Sequence, residues 1–270
     1  MSKTTAKNIA FANIKGGTGK TTTCVNVAGY LAQKGNKVLV VDFDPQANAT
    51  SGLGIDETTL KYSIYDVFLH QCEGYTGVPI TRIILETDVE NLHLAPSTLN
   101  LGVVSMLLQL TKDKTGILHQ ILKPVANFYD YILIDVPSDT GLFMFNSLRA
   151  AEQIVVPLDP SIFSLEALEN LKIYCSELAA MKGHVLKEFT LVLNRAVTAN
   201  NRQKTSRKLN ASNEIESLLR QMSDPVFVVP ESLLVYRSQQ AGLPISHYSS
   251  NRSKIGKVYE AIATHLVKQG

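Results

Sequence analysis

The stretch Asn13-Ile14-Lys15-Gly16-Gly17-Thr18-Gly19-Lys20-Thr21-Thr22-Thr23 follows an apolar run, Ile9 to Phe11, and precedes a helical pattern carried by Val25, Val27, Ala28 and Leu31. A strand, a glycine turn and a helix start in that order form a phosphate cradle. The glycines let backbone N–H groups converge on an anion at a helix N-terminus, where the dipole already favours negative charge. Lys20 is then placed to reach the β- and γ-phosphates of a nucleotide and the Thr21 hydroxyl to hold Mg²⁺, with Gly16, Gly17, Thr18, Gly19 and Thr22 completing the cradle. The general motif asks for a glycine where this chain has Ile14, and the next residue is a second lysine, Lys15.

Carboxylates stand where such a cradle needs them. Asp135 ends the apolar run Tyr131-Ile132-Leu133-Ile134. A buried strand that finishes in an acid beside the cradle can hold Mg²⁺ through water. Asp42-Phe43-Asp44-Pro45-Gln46-Ala47-Asn48 follows another apolar run. Both of its acids could reach a γ-phosphate and its metal, and one could orient the attacking water. The same residues are compatible with an ordinary turn and helix start. Phosphoryl transfer asks mainly for positioning and charge neutralisation, so two lysines, one Mg²⁺ and one water-orienting carboxylate are a sufficient set.

These residues need elements to hold them. Apolar runs bounded by turn signals occur at Ile9–Ile14, Val38–Val41, Leu92–Ala95, Tyr131–Ile134, Ile154–Pro157, Leu191–Leu193 and Val226–Val229, with helical patterns between them. Most are continuous in Val, Ile and Leu, as strands buried on both faces of a parallel sheet require. The expected fold is a doubly wound α/β sheet of about seven to eight mainly parallel strands. Ligands in such sheets sit outside the carboxyl ends of the strands. That rule selects the glycine loop, Asp42 to Asn48, Asp135, Asn194, and Pro230 with Glu231. Residues 55–90 mix short helix-like pieces with Gly and Pro turns, and read as a variable insertion that serves a partner.

With 270 residues, 45% apolar and 19% charged, the chain is expected to form a single domain over residues 1–270, without a separate N-terminal DNA-binding domain. It lacks a stretch of about 18 uncharged apolar residues, and hence a transmembrane segment, and its start does not read as a signal peptide, so a cytoplasmic protein is expected. Cys24, Cys72 and Cys175 are too far apart for a zinc ribbon, and their default role is packing. From Arg195 to Lys257 there are ten Lys and Arg against four Asp and Glu, a local +6 within a chain of net +2, which leaves −4 elsewhere. Such asymmetry suits nucleic acid or an acidic surface, and a solvated charged face gives the same count.

Lys-Gly-Gly-Thr-Gly-Lys-Thr resembles the deviant Walker A motif of the ParA/MinD family of dimeric ATPases, and the similarity extends over nearly the whole chain. The resemblance implies that Lys15 reaches across an ATP-bound homodimer to the neighbour's nucleotide. It resolves the acidic cluster, which is similar to the family's Asp-x-Asp-Pro-Gln-x-Asn motif: Asp44 positions the water and Asp42 supports the metal. Lys15, Lys20 and Asp44 are then the catalytic set. Asn194-Arg195 resembles the family's adenine-side asparagine motif, and Val197 stands where a guanine reader needs a carboxylate, so ATP is expected. Pro230 and Glu231 are expected to line the same pocket. Hydrolysis in the family is slow until a partner protein, ParB-like or a cargo adaptor, stimulates it. The nucleotide's function there is to position a plasmid, chromosome region or protein complex over the nucleoid. Iron–sulfur relatives need paired cysteines, and this chain has no Cys-x-x-Cys.

The basic residues Arg202, Lys204, Arg207 and Lys208 lie among Asn, Gln, Ser and Thr, and Arg237, Arg252, Lys254 and Lys257 follow. Such sets bind phosphate backbones without reading sequence. Two departures from the family pattern bear on function: Ser138 replaces a usual second proline after Asp135, and Leu234 stands where DNA-binding relatives often carry arginine. A MinD-like membrane ATPase is the alternative, and needs a C-terminal amphipathic helix with a basic face. The final segment (Ile255, Val258, Tyr259, Ile262, Ala263, Leu266) has a stripe better suited to docking on the sheet. A metabolic enzyme of the same superfamily would need substrate residues that the sequence does not show.

Overall fold

The computed structural model describes residues 5–108, 113–182, 188–196, 206–249 and 253–268, the side chains of 181, 182 and 206–209 excepted. Each of the seven apolar runs is a strand: β1 (Lys7–Phe11), β2 (Val38–Asp42), β4 (Leu92–Ala95), β5 (Tyr131–Asp135), β6 (Gln153–Leu158), β7 (Glu188–Ala196) and β8 (Val226–Pro230). An eighth, β3 (Leu85–Glu86), pairs antiparallel with β4 at the sheet edge, and the other pairings are parallel. The order is β3-β4-β2-β5-β1-β6-β7-β8. The chain leaves β1 toward β2 on one side and later crosses to β6 on the other, so the strand order reverses at β1, where α/β sheets bind their ligands.

Residues 55–90 differ from the reading as an insertion. They hold α3 (Ile64–Leu69) and β3, and Ile64, Val67, Phe68, Ile80 and Ile83 are buried in the main core. Their short apolar pieces broken by Gly and Pro turns reflect a segment that covers the edge of β4, and a two-residue strand leaves no period to detect.

Helices cover both faces. On one lie α1 (Lys20–Gln33), α2 (Asn48–Gly52), α10 (Ile245–Tyr248) and α11 (Lys254–Lys268). On the other lie α3, α4 (Leu101–Leu107), α5 (Ile117–Leu122), α6 (Leu142–Ala150), α7 (Ile162–Lys182) and α8 (Ser206–Arg220). α9 (Leu233–Gln240) follows β8. Cys24, Cys72 and Cys175 are free and buried in these layers, as packing residues.

Strand parity decides which way the functional residues face. On β2, Leu39, Val41 and Phe43 enter the α3–α8 layer and Val38 and Val40 the α1 layer. On β5, Ile132, Ile134 and Val136 enter the former, and Tyr131 and Leu133 the latter. On β7 the split is Leu191 and Leu193 against Val192. Side chains alternate along a strand, so Asp42, Asp44, Asp135 and Asn194 all fall on the α1 side, the side on which the glycine loop opens into its helix. Phe43 locks this parity, with its ring stacked on Phe68 at 5.2 Å and edge-on to Phe143 at 5.1 Å.

Candidate active site

Gly19 caps α1 with φ +93°, a left-handed conformation that favours glycine, and a Cβ there would come within 2.7 Å of Asn194 Nδ2. Gly17 is also left-handed, at φ +71°. Loop and sheet are fastened by Asn194, which donates to Thr18 O at 2.8 Å and to Thr23 Oγ1 at 3.1 Å, and by Arg195, whose Nη2 donates to Gly17 O. The register of β7 against β8 shifts between Leu193 and Ala196, and Arg195 has φ +53°. This irregularity aims both side chains at the loop. Asn194 therefore braces the phosphate loop with its amide N–H groups.

Asp135 Oδ2 accepts from Thr21 Oγ1 at 2.6 Å, while its Oδ1 is buried with no hydrogen-bond partner among the described residues. Burial first, then the charge of Asp42, holds this carboxyl well above the usual range, against the hydrogen bond from Thr21 and the charge of Lys20. Lys20 and Thr21 line a cavity beside this carboxyl, and the Lys20 ammonium is pushed down by burial, partly offset by Asp135, Asp44 and Asp139. An orphaned carboxylate oxygen beside a threonine hydroxyl suits the water shell of Mg²⁺, which is commonly held by one or two protein oxygens plus phosphates. Among the described residues, no group of three or more His, Cys, Asp or Glu is placed to hold a metal ion.

Asp42 has another duty as well. It faces Asp135 across the β2–β5 pairing, fully buried, and its Oδ2 accepts from the backbone N–H and the hydroxyl of Thr50, both at 2.7 Å. Its Oδ1 accepts from Asp44 N at 3.2 Å. Burial raises its pKa to about 6, even with those hydrogen bonds working against it. Asp42 thus shapes the loop that presents Asp44. That loop continues through Ala47, left-handed at φ +51°. Asp44 lines the cavity half-buried, and its carboxylate accepts from Gln46 N at 2.9 Å.

The two lysines occupy different places. Lys20 projects into the cavity, whereas Lys15 Nζ donates to Asp159 Oδ1 at 2.7 Å and Ser161 Oγ at 2.6 Å, just beyond β6. Burial tends to raise the Asp159 pKa, but the hydrogen bonds from Lys15 and Ser164 and the Lys15 charge outweigh it and leave it lowered. Asn13 sets this geometry, accepting from Lys15 N through Oδ1 and donating to Pro157 O at 2.7 Å. The same turn ends β1 at Phe11, short of the apolar run. Asp159 and Ser161 were reachable by inspecting the carboxyl end of every strand, β6 included. Thr50 and Gln239 carry no comparable sequence signal.

The phosphate-side cavity measures about 570 Å³ and is lined by the glycine loop, Asp44, Gln46 and Ser138 among others. A second cavity of about 260 Å³ adjoins it, with Asn194, Arg195, Pro230, Glu231 and Tyr259 among its walls. The structure brings these together with the glycine loop. The basic residues are more scattered: Arg207 and Lys208 lie on α8, Arg237 on α9 and Lys254 at the start of α11, the last two exposed. Arg202, Lys204, Arg252 and Val197 lie outside the described residues.

The raised carboxylates imply a stability effect. An acid whose folded pKa exceeds its unfolded value costs nothing below the unfolded value, 3.8, and its cost grows as pH rises toward the folded value. Asp135→Asn is therefore expected to raise the melting temperature of the protein at about pH 7.5, with a gain that shrinks toward about pH 4. A pH series by differential scanning calorimetry checks it, and a gain independent of pH contradicts it.

A family described as an AAA domain matches residues 6–187. The sporulation initiation inhibitor protein Soj of Bacillus subtilis is 32% identical, with 98% of this chain and 99% of that one covered. The chromosome-partitioning ATPase Soj of Treponema pallidum is also 32% identical, with 97% of each covered. Among solved structures, the ATP complex of a Cyanothece McdA variant shares the fold, with a TM-score of 0.83, 21% identity and coverage of 98% of this chain and 97% of that one. The chain belongs to the ParA/MinD family of P-loop ATPases, those with the deviant Walker A lysine.

Proposed function

We propose that this protein is a ParA-like switch: ATP and Mg²⁺ bind at the cradle, two ATP-bound copies close face to face, the dimer binds DNA non-specifically, and a partner protein triggers hydrolysis so that a cargo is positioned. The observation that carries the reading is the separation of the two lysines. Lys20 lines its own cavity, while Lys15 lies outside both cavity linings, held on Asp159 and Ser161 at the carboxyl edge of the sheet. A lysine placed there is available to a neighbour's phosphates. Asp44 orients the water and Asp42 holds the Asp44 loop and adds charge near the metal. Mg²⁺, when bound, neutralises the phosphate charge that develops in transfer.

Exposed apolar side chains on the same edge support a second copy as the covering partner. Leu99, Val103 and Met106 begin at the α4 end, where Gly102 lies near Pro45, and Ile162 and Phe163 follow Ser161. The basic residues of α8, α9 and α11 are the candidate DNA contacts, and a nucleoid-associated, cytoplasmic location follows from that reading. The membrane alternative is less favoured because the stripe of α11 is already used: Ile255, Tyr259, Ile262, Ala263 and Leu266 are buried against α1 and its neighbours. No helix among the described residues is long and apolar enough to cross a membrane.

Gly16→Val tests the switch. Gly16 is exposed and absent from both cavity linings, and a Cβ there meets nothing closer than Ser138 Oγ at 3.5 Å. The variant is expected to bind ATP as the unaltered chain does and to lose both the ATP-dependent dimer and ATP-dependent DNA binding. Light scattering and DNA retention read this out, and an intact ATP-dependent dimer contradicts the face-to-face arrangement.

A further inference from the structure

The two cavities meet at a neck. The residues lining both are Gly17, Gly19, Thr22 and Gln239. Three belong to the glycine loop and the start of α1, and the fourth is a single side chain from α9, on the opposite side of the chain's order. A nucleotide with its phosphates in the larger cavity and its base in the smaller must thread its ribose through this neck, and ribose hydroxyls need polar partners.

Most neck acceptors are already engaged. Gly17 O accepts from Arg195, and Gly19 O from both the backbone N–H and the hydroxyl of Thr23, at 2.9 and 2.7 Å. Next to the neck, Thr18 O accepts from Asn194. Thr22 Oγ1 accepts from Gln239 Nε2 at 2.9 Å, with the amide oriented by that contact. Gln239 lines both cavities and its bond to Thr22 fastens the side chain at the neck, and a carboxamide that donates one N–H in this way still has an acceptor oxygen to offer a hydroxyl. Thr22, in turn, keeps its own hydroxyl proton for an acceptor such as a phosphate oxygen.

We propose that Gln239 is the ribose-reading residue of this site, accepting a hydrogen bond from a ribose hydroxyl and setting the position of the sugar relative to the phosphates. The proposal rests on the assignment of the two cavities to one nucleotide. It also gives α9 a direct link to site occupancy, because the helix that presents Gln239 also carries exposed Leu233, Tyr236 and Arg237.

The test compares the affinities of ATP, 2′-deoxyATP, 3′-deoxyATP and inorganic tripolyphosphate for the unaltered chain, Gln239→Ala and Glu231→Gln, by calorimetry. The unaltered chain is expected to bind ATP about three- to tenfold more tightly than at least one of the deoxynucleotides, the range of one hydrogen bond. Gln239→Ala should remove that preference by weakening ATP alone, with deoxynucleotide and tripolyphosphate binding unchanged, which a general disturbance of α9 does not produce. Equal weakening of all ligands, no preference in the unaltered chain, or loss of the preference in Glu231→Gln but not in Gln239→Ala would each overturn the ribose assignment. Tripolyphosphate binding without any gain from the nucleoside would instead overturn the joint nucleotide site and the proposal with it.

Discussion

Lys20→Ala is expected to abolish measurable ATP binding, a loss of about 100-fold or more, since the proposed site assigns its ammonium to charge-assisted contacts with phosphate that neutral donors cannot replace. The substitution also acts on the empty protein. Lys20 is buried and its charge partly compensates Asp135, whose neighbour Asp42 is a second buried carboxylate. Removing the cation relieves its own burial cost but leaves that pair less compensated, so the melting temperature should fall more steeply with rising pH than in the unaltered chain, most clearly through about pH 6 where Asp42 ionises. Calorimetric titration with ATP gives the first effect and a pH series of melting temperatures the second. Retention of ATP binding within a few-fold of the unaltered chain contradicts the assignment of Lys20 to the phosphates.

Asp44→Ala should behave in the opposite way. The Asp44 carboxylate is half-buried, and the bond it accepts from Gln46 N is worth about 1 kcal/mol, so the fold and the cavity should persist. ATP binding and the ATP-dependent dimer are expected to remain, while turnover falls by about 100-fold or more because the attacking water loses its orienting carboxylate. Single-turnover hydrolysis separates this from a binding defect. Turnover near the unaltered rate assigns the water to another group. If the proposed ATP dimer persists in this variant, it also suits capture of a partner that reads the ATP state.

Much of this site is legible in the sequence because its parts are local. The glycine loop, Asp42, Asp44 and Asp135 each sit at the carboxyl end of an apolar run, and strand parity turns them to one side. What stays hidden depends on contacts between distant segments. Asp159 and Ser161 become meaningful only once Lys15 is seen to end on them, 144 and 146 residues away. Asn194 reads as a base-side residue in sequence; it walls the smaller cavity, and its amide also braces Thr18 and Thr23, contacts across more than 170 residues that the sequence does not announce. Asp42 reads as an acid that supports the metal, and the fold gives it the further task of accepting from Thr50 and Asp44. Residues 55–90 mislead for a related reason: Phe68 is buried against Phe43, a contact no local pattern announces.

The most direct measurement is turnover in a mixture of Lys15→Ala and Asp44→Ala chains, each inactive alone. If Lys15 serves the neighbouring nucleotide, the mixed dimer contains one complete site, made of Asp44 from one chain and Lys15 from the other. A 1:1 mixture should then recover about a quarter of the unaltered turnover per chain, since about half of the dimers are mixed and each has one working site. If Lys15 serves its own nucleotide, no mixed dimer has a complete site, and the mixture stays as inactive as its components.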